Sequence, residues 1–202
     1  MRKIVSAICA IAVMASCEPR GERPELLFDG LKGNVESVVT RSYDESGTLL
    51  GTHTVRFTES GNVLSDVSLR GDGAPQTSLE YKYGESGLRE VVQTDGPSGY
   101  VFHTTKANNP SNRYTEIHRT WNQDGYLTSY IYVDRGVKHF LYNRYDRKNN
   151  LIRKKEGDDR SNPSGTVTRY RYSSFDAEGN WTAGTSKTDG AVTRLEREIS
   201  YR

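Results

Sequence analysis

Trp121-Asn122-Gln123-Asp124-Gly125-Tyr126-Leu127 decides the architecture: an aromatic residue, three polar ones, a glycine, a spacer and an apolar residue. The same order returns at Tyr43-Asp44-Glu45-Ser46-Gly47 before Leu49 and at Phe57-Thr58-Glu59-Ser60-Gly61 before Val63. It appears again at Phe175-Asp176-Ala177-Glu178-Gly179 before Trp181. Tyr145-Asp146-Arg147-Lys148-Asn149, before Leu151, replaces the glycine by asparagine, the other residue that tolerates a positive φ. Tyr83-Gly84-Glu85-Ser86-Gly87 is a variant that runs straight into Leu88. Each copy has the chemistry of a β-hairpin: a ring closes one strand, polar residues fill the loop, and glycine takes the left-handed turn.

A second kind of turn, Asp72-Gly73, Asp95-Gly96, Asp134-Arg135-Gly136 and Asp189-Gly190, falls between many of these copies. The segments between turns alternate in polarity. Leu79, Tyr81 and Tyr83 oppose Glu80 and Lys82, and Tyr170 and Tyr172 oppose Arg169 and Arg171. Past residue 31 no window has helical periodicity, although a short helical turn is conceivable from Glu25 to Leu31. The expected fold is therefore all-β: repeated antiparallel hairpins forming a β-meander, either an extended curved sheet or an open β-shell. Its core should be thin. Only 34% of residues are hydrophobic, the mean hydropathy is −0.76, and 13 tyrosines take the place of aliphatic side chains. Tyrosine covers apolar surface while leaving its hydroxyl wet, and repeats of modest burial gain stability from their neighbours.

The N-terminus reads as an address. Arg2 and Lys3 precede an apolar run from Ile4 to Ala15, then Ser16. This is the plan of a helical signal peptide over residues 1–16. A membrane-spanning helix needs about 20 apolar residues, and this run is shorter. Residues 18–25, polar and rich in helix breakers, form a tether, and 26–202 a single β-repeat domain. The whole chain has 28 basic and 26 acidic residues. Losing Arg2 and Lys3 with the leader balances the two signs, so a global pull toward nucleic acid has no basis. Cys9 also lies in the leader, so the exported chain keeps Cys17 alone and can form no internal disulfide.

Val13-Met14-Ala15-Ser16-Cys17 resembles the lipobox of bacterial lipoproteins, with Met14 where leucine is commonest. The resemblance implies diacylglycerol on the Cys17 thiol and cleavage just before it. It also implies a membrane partner through the N-terminal lipid and a place in the cell envelope. The outer membrane is the expected address, with periplasmic side and cell surface both open. The aromatic-Asp-x-x-Gly turns at 43–47 and 175–179 resemble the YD repeats of RHS-type bacterial surface proteins. Together with Gly30 to Val38 and the ending from Phe175 to Tyr201, they are similar to small lipoproteins carrying such repeats. What this likeness implies is the hairpin repeat and an envelope setting, not a toxin domain or an activity.

Candidate chemistry is sparse. His53, His103, His118 and His139 are scattered without metal-ligand spacing. Gly84-Glu85-Ser86-Gly87 fails the nucleophile-elbow pattern because Leu88 stands where a glycine is needed. No catalytic residue, cofactor or metal site is assigned; Glu156, Asp158 and Asp159 as calcium ligands are less expected than as solvated loop carboxylates. The rings of Trp121, Tyr126, Tyr130 and Tyr132 are candidate ligand contacts. So is the basic hairpin containing Arg144, Arg147, Lys148, Arg153, Lys154 and Lys155, which could meet phosphate or carboxylate groups. For both sets the plainer duty is structural: packing for the rings, a solvated edge for the charges. Three functions follow: a non-enzymatic envelope scaffold or protein-binding surface, a glycan-binding envelope protein, or an unrecognised hydrolase. The expected partners are the membrane and an envelope protein or polysaccharide, and not nucleic acid.

Overall fold

A computed structural model of the chain describes residues 30–84, 87–98, 101–105, 114–134 and 136–202. The leader 1–16, Cys17 and the tether 18–25 lie outside them. Thirteen strands occur among the described residues: β1 (Val35–Tyr43), β2 (Leu49–Phe57), β3 (Val63–Arg70), β4 (Pro75–Gly84), β5 (Gly87–Asp95), β6 (Val101–Thr105), β7 (Tyr114–Trp121), β8 (Leu127–Asp134), β9 (Val137–Tyr145), β10 (Leu151–Asp158), β11 (Thr166–Phe175), β12 (Trp181–Thr188) and β13 (Ala191–Tyr201). All belong to one sheet in the order β6-β5-β4-β3-β2-β1-β13-β12-β11-β10-β9-β8-β7, and every pairing is antiparallel. The fold is an all-β open sheet, with no helix among the described residues.

The first and last strands meet in the middle, Val38 opposite Ile199 and Thr40 opposite Arg197. Two meanders grow outward from this seam: an N-terminal wing ending at β6 and a C-terminal wing ending at β7. Strand direction alternates at each step, so the edge strands β6 and β7 run the same way. These two edges do not pair with each other, so the sheet is open.

Five of the six sequence motifs share one geometry, and the Tyr83 copy differs in pairing Gly84 directly with Gly87. The backbone N–H of the residue after the ring donates to the carbonyl four residues on, as in Asp44 to Thr48, Asn122 to Tyr126 and Asp176 to Asn180. The left-handed residue donates back to that same first residue. Gly47, Gly61, Gly125, Asn149 and Gly179 have φ between 61° and 92°. Where the first loop residue is Asp, its carboxylate accepts the N–H of the fifth, from Thr48, Asn150 and Asn180. The ring then sits opposite the apolar residue past the turn: Tyr43 with Leu49, Phe57 with Val63, Trp121 with Leu127, Phe175 with Trp181. A register shift beside each pair absorbs the odd residue.

Turn type sorts by end. The copies beginning at Phe57, Tyr83, Trp121, Tyr145 and Phe175 all lie at the near end, where β1 starts and β13 finishes. The far end has the Gly73, Gly136 and Asp189-Gly190 turns plus the Tyr43 copy. Asp189 and Gly190 both take positive φ, 50° and 93°, the type I′ pair that suits a two-residue hairpin loop.

The near end also holds the core. Leu31, Val35, Val38, Val55 and Phe57 are buried together, flanked by Val63, Ile199 and Tyr201. Residues 30–34 cross the hairpin tips and fasten them. Asn180, 1% exposed, receives the Lys32 N–H at 2.8 Å. Its amide nitrogen donates to the Lys32 carbonyl at 2.9 Å and to the Tyr201 hydroxyl at 2.7 Å. Tyr201 donates in turn to the Asp176 carboxylate, so this buried amide is fully satisfied. The Lys32 ammonium reaches the Gly179 carbonyl at 2.8 Å and Asn150 Oδ1 at 3.5 Å, tying two tips to the arm. Arg202 caps the carbonyls of Val35, Thr58 and Phe57.

Candidate functional site

Directly opposed residues on antiparallel strands project to the same face, so the register assigns each side chain. In the C-terminal wing one face carries Thr168, Tyr170 and Tyr172 on β11, facing Thr188, Ser186 and Gly184 on β12. It continues through Lys154 and Glu156 on β10, Asn143, Leu141 and His139 on β9, and Tyr130 and Tyr132 on β8. Nearly all of these are buried or half-buried, although the described residues include no second layer. This more sheltered side is the inner face. β11 shows the contrast most sharply: Thr168, Tyr170 and Tyr172 are sheltered while Arg169, Arg171 and Ser173 are exposed.

The inner face is built from two stacks of rings. Tyr170 and Tyr172 lie 6.4 Å apart at 12°, and Tyr172 stacks on Trp181 at 5.0 Å and 19°. The Arg197 guanidinium lies over the Trp181 ring at 3.7 Å, within cation–π range. Gly184 makes room for the stack: a Cβ there would stand 2.9 Å from Tyr172 Cδ1 and 2.5 Å from the Arg171 carbonyl oxygen. Tyr172 donates its hydroxyl to the Leu151 carbonyl, as Tyr83 does to Val63 and Tyr145 to Leu127. Each of these tyrosines thus latches onto the first residue of the preceding strand. Burial pushes the Tyr172 hydroxyl well above its ordinary pKa. Burial also raises Tyr170, with Lys154 opposing and Glu156 assisting. The second stack is Tyr130–Tyr132 at 5.1 Å and Tyr132–His139 at 4.8 Å. Beside it lies a concavity of about 410 Å³ lined by Tyr132, His139, Leu141, Glu156, Asp158 and Asn162.

The residues singled out from sequence separate in three directions. Tyr130, Tyr132 and Lys154 share the inner face, and the Lys154 ammonium pairs with Glu156 at 2.9 Å. Arg153 and Lys155 project from the opposite, outer face. Tyr126, 6% exposed, is packed at a near-end tip 5.6 Å from the Tyr145 ring, and burial raises its hydroxyl pKa. Trp121 is half-buried opposite Leu127. Asp158 is spent on its own loop. The Ser161 hydroxyl, then the Ser161 and Arg160 N–H groups, hold its carboxyl down to about 2. Asp159 accepts the Lys138 N–H at 3.0 Å. Among the described residues no group of three His, Cys, Asp or Glu could hold a metal ion.

His53 Nε2 meets Asp66 Oδ1 at 2.7 Å on the inner face of the N-terminal wing, with Ser68 opposite His53. Sequence spacing gave no sign of this pair, which depends on strand register. Its side chains are 46% and 30% exposed, so it lacks the water-excluded surroundings that acyl transfer uses.

No protein-family model matches the chain. No curated protein matches it in sequence. Among solved structures it is similar to a porin-like protein from Bacteroides uniformis, with 11% identity over 84% of this chain and 99% of that one, at a TM-score of 0.45. A LolA superfamily protein from Nitrosomonas europaea aligns with 11% identity over 90% and 94%, at 0.40. A putative outer membrane lipoprotein-sorting protein domain from Vibrio parahaemolyticus aligns with 9% identity over 83% and 86%, at 0.37.

Proposed function

We propose that this protein is a non-enzymatic component of the bacterial cell envelope, held to a membrane by a lipid on Cys17, whose open sheet serves as a binding scaffold. One observation carries the reading. The C-terminal wing offers a sheltered, ring-lined inner face and a concavity of about 410 Å³, in a sheet with no second layer among the described residues. Such a surface receives a partner; it does not assemble a nucleophile, a base and an oxyanion site within one pocket. The address comes from the leader and the Val13-to-Cys17 motif.

The glycan-binding alternative draws less support from the rings. Sugar stacking needs an open ring face. Trp181 is already engaged by Tyr172 and Arg197, and Tyr132 by Tyr130 and His139. With these faces already engaged, the rings suit a protein surface better than a sugar.

A photo-crosslinking residue placed at Leu141, beside the concavity, tests the scaffold in intact cells. A discrete adduct that is absent when the same residue replaces Arg56 on the outer face of the other wing supports the reading. Identical adduct patterns at both positions, or none at either, would refute it. Mass analysis of the mature N-terminus tests the lipid separately, since a free thiol at Cys17 removes the anchor and leaves the scaffold standing.

A further inference from the structure

We propose that the outer face of the C-terminal wing docks flat on an anionic lipid bilayer. The register carries the inference. Arg144 on β9 stands opposite Arg153 on β10, Arg153 opposite Arg169 on β11, and Arg169 opposite Lys187 on β12. Four cations thus form one row across four strands, at about 4.8 Å per step, and all four are exposed. Arg171 extends the patch along β11 and Lys155 along β10. Among the described residues, no Asp or Glu projects from this face on β8 to β12. The patch stops at β13, where Glu196 pairs with Arg194. With 28 basic and 26 acidic residues overall, the chain has little net charge, so the patch is a spatial separation of charge and not an excess of it.

Folding alone does not favour such a row, because like charges directly opposite destabilise a sheet. An anionic counter-surface removes that penalty. A bilayer fits better than a linear polyanion for two reasons. The cations spread in two dimensions, across four strands and along two of them. Rings accompany them: Tyr142, 43% exposed, and Phe140 lie on this same face of β9, with the Lys155 ammonium 5.8 Å from the Phe140 centroid. Amphipathic rings beside cations suit a headgroup layer. A Cys17 lipid would keep a membrane within reach, so the setting rests on the proposed anchor while the attraction itself does not.

Co-sedimentation of the full chain carrying Cys17→Ser separates the two. The probes are vesicles of phosphatidylglycerol mixed with phosphatidylcholine, vesicles of phosphatidylcholine alone, and soluble polyphosphate. Binding to the mixed vesicles should exceed binding to the neutral ones and collapse at high salt. Arg153→Glu should weaken it by about tenfold or more, taking roughly 1 kcal/mol per basic residue near the surface. Arg56→Glu in the other wing should leave it unchanged. Because Arg153 sits between two arginines, its reversal should not lower the melting temperature, so lost binding cannot be put down to lost folding. Equal binding to both vesicle types would overturn the proposal. So would indifference to Arg153→Glu, or tight binding to polyphosphate with none to the mixed vesicles. None of these outcomes bears on whether native Cys17 is acylated.

Discussion

The two wings use one construction and reach different ends. In the N-terminal wing Arg41 and Glu198 face each other across the seam at 3.4 Å, and Arg56 and Glu80 both lie across from Ser65 on the outer face. Charges of both signs mix there. Its inner face is aliphatic at the near end, around Phe57, and polar and open farther along, at His53 and Asp66. The C-terminal wing separates its charges instead, with ring stacks and a Lys154–Glu156 pair on the inner face and a row of cations, without Asp or Glu among the described strand residues, on the outer. The ring-to-glycine turn recurs in both wings, so the division arises from which side chains alternate along the strands. A hairpin repeat fixes the backbone and leaves its two faces free to specialise independently.

The sharpest way to break this comparison is at the N-terminal core. Phe57→Ala should cost about 3–5 kcal/mol, because the ring is 1% exposed in the cluster that closes the near end. Urea unfolding would check it, and a loss under 1 kcal/mol would mean the cluster is not the N-terminal wing's main support. The matching test in the C-terminal wing is Gly184→Ala. A Cβ there meets the Tyr172 ring and the Arg171 carbonyl oxygen, so a loss of about 1–3 kcal/mol is expected, with a changed near-ultraviolet dichroism signal from Trp181.

Alkali should distinguish the wings without mutation. Tyr170 and Tyr172 titrate above their ordinary value because burial disfavours the phenolate, and Tyr201 at the seam is pushed up to about 12 by burial and by Asp176. The native state therefore holds these protons more tightly than the unfolded chain. Their contribution to stability is complete below pH about 10 and is lost as the pH rises through the raised native values. The melting temperature should fall over that range while a late-ionising class of tyrosines shows in the absorbance titration. Tyr172→Phe should shrink that class. Simultaneous ionisation of all the tyrosines near their ordinary value would contradict the ring stack. Smallest is the effect of Arg153→Glu on folding, a gain of about 0.2–1 kcal/mol from two new opposite-charge neighbours. A measurable loss in thermal unfolding would show that the four cations do not strain the sheet.

Much of this architecture was legible beforehand, for a local reason. The ring-to-glycine motif specifies a turn whose hydrogen bonds all lie within five residues, and Asn149 takes positive φ as its place in the motif implies. Alternation likewise set Tyr170 and Tyr172 against Arg169 and Arg171. What sequence reading left unseen is long-range. The cation row draws on Arg144, Arg153, Arg169 and Lys187, and only the register of three strand pairs brings them into line. The Lys32–Asn180 contacts join residues 148 positions apart. Reading Arg153, Lys154 and Lys155 as one basic cluster followed the chain, whereas the pleat sends the middle residue to the other side.

The pairing of β1 with β13 makes the last of these strands to be synthesised a keystone and not a trim. As the chain folds, each meander can collect its hairpins one after another, yet no strand of one half pairs with a strand of the other until Ala191–Tyr201 arrives between β1 and β12. A protease nick at the exposed Asp189-Gly190 corner would therefore not shave an edge. It would free the strand that pairs with both halves.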